Sequence, residues 1–512
     1  MASIPSDPSG SRRQGLLVAA LSIVWWVWSL GLRPISLPDE GRYAGVARDM
    51  LAHGDWLVPR LNGLPFFHKP PLFYWIDALA MGAFGVGPVA ARTASAFGAL
   101  LACAALAWHA RRLAGPRFAL AALAALSLQP LFFFGGQFAN LDMLVAGCIT
   151  ATVVAWAHGL AAPDGEGRTA LRIGWAAAAC GVLAKGLIGW VLPALVVLPW
   201  ALVMLERPRL RTLMRWADPL GVLLTLAIAL PWFVLVARAH PGFLDYFVLE
   251  QHVRRYATAH FNNRQPPWFY VAVLALGALP WTLALAGLRG AWRAAEAAQR
   301  RWLVLWAWWA LAIVLFFSLP RSKLVGYVLP VLPPLALLVA WVLMHRVRGP
   351  RWERIAAALG VILCLGGLWG ARQFDRKALR SIPIEVETML QADPAWRDAQ
   401  PVYIDSPRSE IALRAPLSHL PWIVSDWDDP AIAAGDSWRK ELTDGARFDP
   451  DTGARLLLRP AQLPARLAEV ERAWIVANAA WQPPPGSHGS FEPVLREREV
   501  QLWRWRRGPE GP

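Results

Sequence analysis

The chain has 512 residues, 56% of them hydrophobic and only 17% charged, with 30 tryptophans. A soluble globular domain sits nearer half apolar and a quarter charged, and the excess here is gathered in long runs, which excludes an ordinary soluble enzyme. The formal charge of +15 does not mark a nucleic-acid partner either, because the basic residues lie in short clusters between apolar runs and not on one polar domain.

The first run, Gly15 to Leu32, follows Arg12 and Arg13. It is long for a signal-peptide core and has no small-residue cleavage site before Pro34, so it reads as an uncleaved anchor with its arginines inside. Further runs centre on residues 90–109, 118–134, 140–160, 171–185, 187–205, 218–237, 268–288, 302–319, 325–344 and 355–371. The expected fold class is an all-α polytopic membrane domain of about eleven spans, several near the ~17-residue lower limit for crossing. A count of twelve or thirteen results if short helices pair differently. Alternating sides puts loops 110–117, 161–170, 206–217, 289–301 and 345–354 inside, and each carries arginine, as the positive-inside bias requires. This works only if the weakly apolar segment Pro71–Gly87 stays outside as a juxtamembrane or re-entrant helix. Cys103, Cys148, Cys180 and Cys364 fall within apolar runs, so the polar tail has no disulfide framework.

After Ala371 the character changes. Residues 1–374 are read as the membrane domain, with 33–89 as its first outer loop, and residues 375–512 as a soluble domain. Strand-like runs Val402–Asp405, Ala473–Val476 and Glu499–Trp505 alternate there with helical patterns such as Pro383–Gln391, which predicts a small α/β or α+β domain. An odd number of spans puts it outside, on the periplasmic face of a bacterial inner membrane.

The outer side carries the chemistry. Leu37 to Trp75 reads LPDEGRYAGVARDMLAHGDWLVPRLNGLPFFHKPPLFYW. Asp39 and Glu40 begin a helix whose Tyr43, Val46, Met50 and Leu51 share one face, an apolar stripe suited to the membrane interface. Asp39 is a helix N-cap, a rigidly placed catalytic carboxylate, or both. Lys69 lies in His-Lys-Pro-Pro, where two prolines stiffen the chain; it meets a lipid phosphate or snorkels to the interface. Asp142, in QFANLDMLVA, sits at the outer end of its span, and a carboxylate in an apolar segment is a functional-site candidate by default. Lys185, in LAKGLIG, lies at the outer end of the next span, with snorkelling and substrate contact both open. Residues 250–264 bring His252, Arg254, Arg255, His260 and Arg264 into one outer loop, against the positive-inside trend. An anion such as a phosphate supplies the reason. PRSKLVGYVLP adds Arg321, Lys323 and Tyr327 at the tenth span.

Taken together, DEGRYAGVARDM, GDWLVPRLNG, FFHKPPLFYW, NLDM, AKG and SKLVGYVLP resemble the aminoarabinose transferases that modify lipid A, within the protein O-mannosyltransferase-like group of GT-C glycosyltransferases. The resemblance runs over residues 10–345 as an ordered series; the C-terminal domain matches only in position and size. It implies a GT-C membrane fold and transfer of a sugar from undecaprenyl phosphate, or a related polyprenyl phosphate, to a periplasmic acceptor, most sharply lipid A of the lipopolysaccharide. It also implies Asp39 as the catalytic carboxylate, Lys69 and Tyr327 on the donor phosphate, and Arg254 or Arg255 as a further phosphate ligand. Glu40 and Asp142 complete the expected catalytic set, Lys323 joins the phosphate set, and Lys185, His252 and His260 are candidate substrate contacts. Where the family often has an acidic residue before the lysine of the KPP motif, this chain has His68. If that acid is a metal ligand elsewhere, His68 and His252 are the residues left here to bind a divalent ion such as zinc. No cofactor is required.

The chemistry suits these residue types. Transfer breaks the bond between C1 and a phosphate oxygen and leaves an anionic polyprenyl phosphate, which Lys and Arg stabilise. A hydroxyl acceptor needs Asp39 as a base; a phosphate acceptor is already ionised and leaves Asp39 to position it or to stabilise an oxocarbenium-like centre. No nucleotide is needed, and no Gly-rich phosphate loop occurs. The competing class is a transporter or flippase of lipid-linked sugars. It predicts charges along both leaflets and internal repeats, whereas the charged motifs lie on one side and no repeat is visible.

Overall fold

The computed structural model describes residues 8–36, 38–254, 263–346, 350–378, 381–415, 417–485, 487–497 and 499–508. Each of the apolar runs falls on helix. Among the described residues, six helices are long and apolar enough to cross a bilayer alone, and a seventh counts if Phe269–Gly277 and Trp281–Ala294, bent by 103°, form one span. The difference from about eleven has local causes. Thr93–Ser127 takes in two expected runs and leaves helical geometry at Ala114 and Gly115, just before Pro116, whose missing N–H interrupts the ladder. Arg168–Lys185 is diluted by Arg168, Arg172 and Lys185, and Ile188–Met204 has only 17 residues. Leu141–Ala161 is the central helix, buried along nearly its whole length. Pro219–Ala239 is peripheral and exposes Leu223, Leu226 and Leu230.

The loop after the first helix is ordered by short-range rules. Helix Asp39–His53 stops at Gly54, which has φ 70°, the left-handed cap that glycine adopts without strain. Strands β1 (Arg60–Leu61) and β2 (Leu64–Pro65) then pair antiparallel, which corrects the all-α expectation for this domain. Their turn is Asn62-Gly63, with φ 51° and 86°, the dipeptide that a tight primed hairpin selects. The helix Leu72–Phe84 has 13 residues, too few to cross. Its Phe73 and Tyr74 pack on Tyr43, while Leu79 and Phe84 face outward.

The C-terminal part is a six-stranded mixed sheet: β3 (Gln400–Ile404), β4 (Trp422–Val424), β5 (Leu457–Leu458), β6 (Arg472–Asn478), β7 (Gly489–Glu497) and β8 (Val500–Arg507), in the order β5-β4-β3-β6-β8-β7. The first four strands in that order are parallel, and β6-β8-β7 is antiparallel. Both faces are covered. Tyr403, Ile423, Trp474 and Val476 enter one apolar cluster; Val402, Trp422, Val424 and Ile475, alternating with them, enter another. Central strands buried on both sides explain why the sequence reads there as continuous apolar runs.

This domain docks on the first loop and on the segment at Tyr246, through the helix Trp438–Phe448 and the Asp449 that follows it. Phe448 meets the ring of Phe67 at 5.0 Å, Asp444 accepts from the Tyr246 hydroxyl at 3.0 Å, and Asp449 pairs with Arg60 at 3.1 Å. Gly445 lies against the Pro65 carbonyl, where a Cβ would approach to 2.6 Å.

Candidate active site

Asp39 and Glu40 are neighbours in sequence with opposite environments. Glu40 is fully buried. Its carboxylate accepts from Arg33 at 2.8 and 3.0 Å, from Arg92 at 2.8 Å on both oxygens, and from the backbone amides of Ser36 and Ala139 at 2.7 Å. Burial alone would raise its pKa; the hydrogen bond and charge of Arg92, with the charge of Arg33, overcome this and hold the carboxyl below its ordinary range. Glu40 was expected to be catalytic, but it does not line the cleft described below. Through Ala139 it grips the chain three residues before Asp142, and by position it fixes Asp39, so it sets the two carboxylates relative to each other.

Asp39 is the first helical residue, not the N-cap. Pro38 occupies that position and no side chain caps the helix. Asp39 is about half exposed and pairs with Arg42 at 2.7 Å. It opens into a cleft of about 440 Å³ whose walls include Arg42, Tyr43, Phe66, His68 and Lys69 from the first loop and Leu324 from the segment before the tenth span. The opposite wall comes from the C-terminal domain, with Arg408, Trp438 and Glu441. Arg42 also pairs with Glu441. Sequence reasoning missed Arg42, although its spacing of three from Asp39 on one helix was a usable signal. It also missed the whole C-terminal wall, for which no local signal exists.

A second cluster lies at the ends of three helical segments. Asp142 occupies the first turn of Leu141–Ala161, capped by the Asn140 side chain at 3.0 Å. It pairs with Lys185, the last residue of its helix, whose ammonium stands 4.7 Å from the Tyr327 ring centre. Gly326 lets that segment close on Asp142, since a Cβ there would sit 2.8 Å from the carboxyl carbon. The structure therefore gathers Asp142, Lys185 and Tyr327 as one unit, joined to the cleft by the segment that carries Leu324.

Lys323 behaves differently from expectation. Its ammonium is buried and donates to the carbonyls of Gln265 at 3.2 Å and Pro320 at 2.5 Å, and it is absent from the cleft wall. Burial also lowers its pKa. These bonds to carbonyls brace its loop. Of the cationic outer loop, the backbone of His252 and Arg254 ends a π-helical stretch, Asp245–Arg254; their side chains, and Arg255 and His260 entirely, lie outside the described residues. His68 stacks on Phe66 at 4.7 Å. Among the described residues no group of three or more His, Cys, Asp or Glu is close enough to share a metal ion.

A larger concavity, about 750 Å³, is built from the predicted interior loops and lined by Arg168, Arg172, Arg211 and Arg215. Its Asp164 is engaged by three arginines and its Asp218 by Arg172.

Residues 17–247 match the family described as dolichyl-phosphate-mannose-protein mannosyltransferase. An undecaprenyl phosphate-alpha-4-amino-4-deoxy-L-arabinose arabinosyl transferase of Edwardsiella ictaluri (strain 93-146) is 28% identical over 96% of this chain and 97% of its own length. The transferase of the same name from Pseudomonas aeruginosa (strain LESB58) is 37% identical over 76% of this chain and 71% of its own. The crystal structure of ArnT from Cupriavidus metallidurans bound to undecaprenyl phosphate superposes with a TM-score of 0.76 at 26% identity, covering 96% of this chain and 98% of that one. The chain belongs to the family of undecaprenyl phosphate-aminoarabinose arabinosyl transferases, which are membrane glycosyltransferases.

Proposed function

We propose that this chain moves 4-amino-4-deoxy-L-arabinose from undecaprenyl phosphate to lipid A, at a cleft on the periplasmic face of the inner membrane. The observation that carries the reading is the cleft holding Asp39, Arg42 and Lys69 together. A lipid A phosphate oxygen attacks C1 of the sugar. The C1–O bond to the donor phosphate breaks, and undecaprenyl phosphate leaves with the electron pair. Lys69 meets the charge developing on that phosphate, and Asp39 orients the acceptor and stabilises the positive charge at C1. The Asp142–Lys185–Tyr327 unit supports the donor side. The attacking phosphate is already ionised, so no proton must be removed.

In purified protein with the lipid-linked sugar and lipid A, Asp39→Asn is expected to lower turnover at least ~10²-fold. Lys69→Ala removes a charge-assisted contact and is expected to cost about 10- to 150-fold. Near-normal transfer by folded Asp39→Asn protein sinks the assignment. Chelation is expected to leave turnover unchanged; a loss restored by zinc would instead give His68 and His252 a metal. A transporter moves its cargo without cleaving it, so binding of the lipid-linked sugar with no product formed would favour that class.

A further inference from the structure

Arg42 stands between two carboxylates that belong to different domains. One nitrogen of its guanidinium donates to Asp39 at 2.7 Å and another pairs with Glu441, in the first turn of the helix Trp438–Phe448. Its plane also lies over the Tyr43 ring, 5.0 Å from the centre. A guanidinium is a rigid planar fork with five donors. Holding one edge fixes the direction of the other. With Glu441 in place, Arg42 presents a single nitrogen to Asp39 and leaves the second carboxylate oxygen open to the cleft. Without it, the fork is free to close on Asp39 in a bidentate pair, and the carboxylate turns from the substrate to its neighbour.

We propose that Glu441 of the C-terminal domain is a positioning residue for glycosyl transfer: by anchoring Arg42 it aims Asp39, so the domain is part of the catalytic unit. The inference rests on the reading of Asp39 given above. Three features separate it from simple domain docking. Glu441 is buried at the cleft wall, while Asp39 is exposed. The docking contacts of Phe448, Asp444 and Asp449 do not touch Asp39. And Asp449–Arg60 is an interdomain ion pair of the same kind with no link to the cleft, which supplies a control.

The test uses the full chain in detergent with undecaprenyl-phosphate-aminoarabinose and lipid A, with activity expressed per folded, monodisperse protein. Glu441→Gln, equal in size, is expected to lower kcat about 10- to 100-fold, the scale of a misplaced catalytic group, with KM for either substrate changed less than about twofold. Glu441→Asp keeps the charge and is expected to recover part of the loss. Asp449→Asn keeps its capping of Thr452 and is expected to turn over like wild type. Adding Glu441→Gln to Asp39→Asn is expected to cost nothing further, because both act through one group. Equal kcat in Glu441→Gln and Asp449→Asn, a purely KM effect, or full additivity overturns the inference. If Asp39→Asn itself retains turnover, the reading of the site falls instead.

Discussion

Glu40 has no open face: both oxygens are taken by Arg33, Arg92 and the amides of Ser36 and Ala139. Removing its charge leaves two arginines buried without a counter-ion. Glu40→Gln is therefore expected to cost about 3–5 kcal/mol, as broken buried pairs do, read as a fall in the unfolding temperature in detergent. Asp39→Asn, at an exposed carboxylate, is expected to leave that temperature near wild type. The pH dependence follows the same residue. Its folded pKa lies below the ordinary value of 4.5, so its stabilisation is complete above about that pH and is lost as pH falls through the lower, folded value. Wild type is expected to lose stability on acidification below pH 4.5 more steeply than Glu40→Gln; parallel curves would deny Glu40 this role. The sequence shows two adjacent acids and nothing to tell them apart. The distinction arises only when Arg33, Arg92 and Ala139 converge on one of them. The carbonyl partners of Lys323 were illegible for a related reason, since no sequence pattern says that an ammonium turns toward nearby carbonyls.

At the scale of elements, much was legible where a short-range rule decides the outcome. Asn62-Gly63 dictates its hairpin, Pro116 interrupts its helix, and the continuous apolar run of Val402, Tyr403 and Ile404 marks a strand. Strands of two or three residues such as β5 and β4 carry too little pattern to stand out. Helix contact was not legible either, although it decides where Asp142 sits. Gly98 meets the backbone of Leu141–Ala161 so closely that a Cβ would lie 2.5 Å from the Leu144 Cα. Backbone cannot yield as a side chain can. Gly98→Val is expected to destabilise by at least about 1–3 kcal/mol and to lower turnover by displacing Asp142, seen in unfolding temperature and rate together. Gly366→Ala, in open space on the helix Pro350–Ala378, is the matched control and is expected to be neutral.

For the whole molecule, the arginine-bearing loops 161–170 and 206–217 meet in one concavity, while Asp39, Lys69 and the C-terminal domain meet in another. Reporter tags at residues 210 and 400 are expected to lie on opposite sides of the membrane, with 400 periplasmic; the same side for both would break the assigned topology. Composition and the positive-inside bias made the membrane class readable, and the ordered motifs made the family readable. The second wall of the cleft was not, because its residues are placed by docking of a distant domain. Arg42 and Glu441 are 399 residues apart in the chain. At about 5–20 residues per second, the ribosome needs roughly 20–80 s to travel from one to the other. During that interval the growing polypeptide already carries Asp39 and Lys69 but only half a cleft. If Glu441 aims Asp39 as proposed, newly made enzyme is expected to stay silent toward its lipid-linked sugar until its last domain has been synthesised and seated, a delay written into the order of the chain.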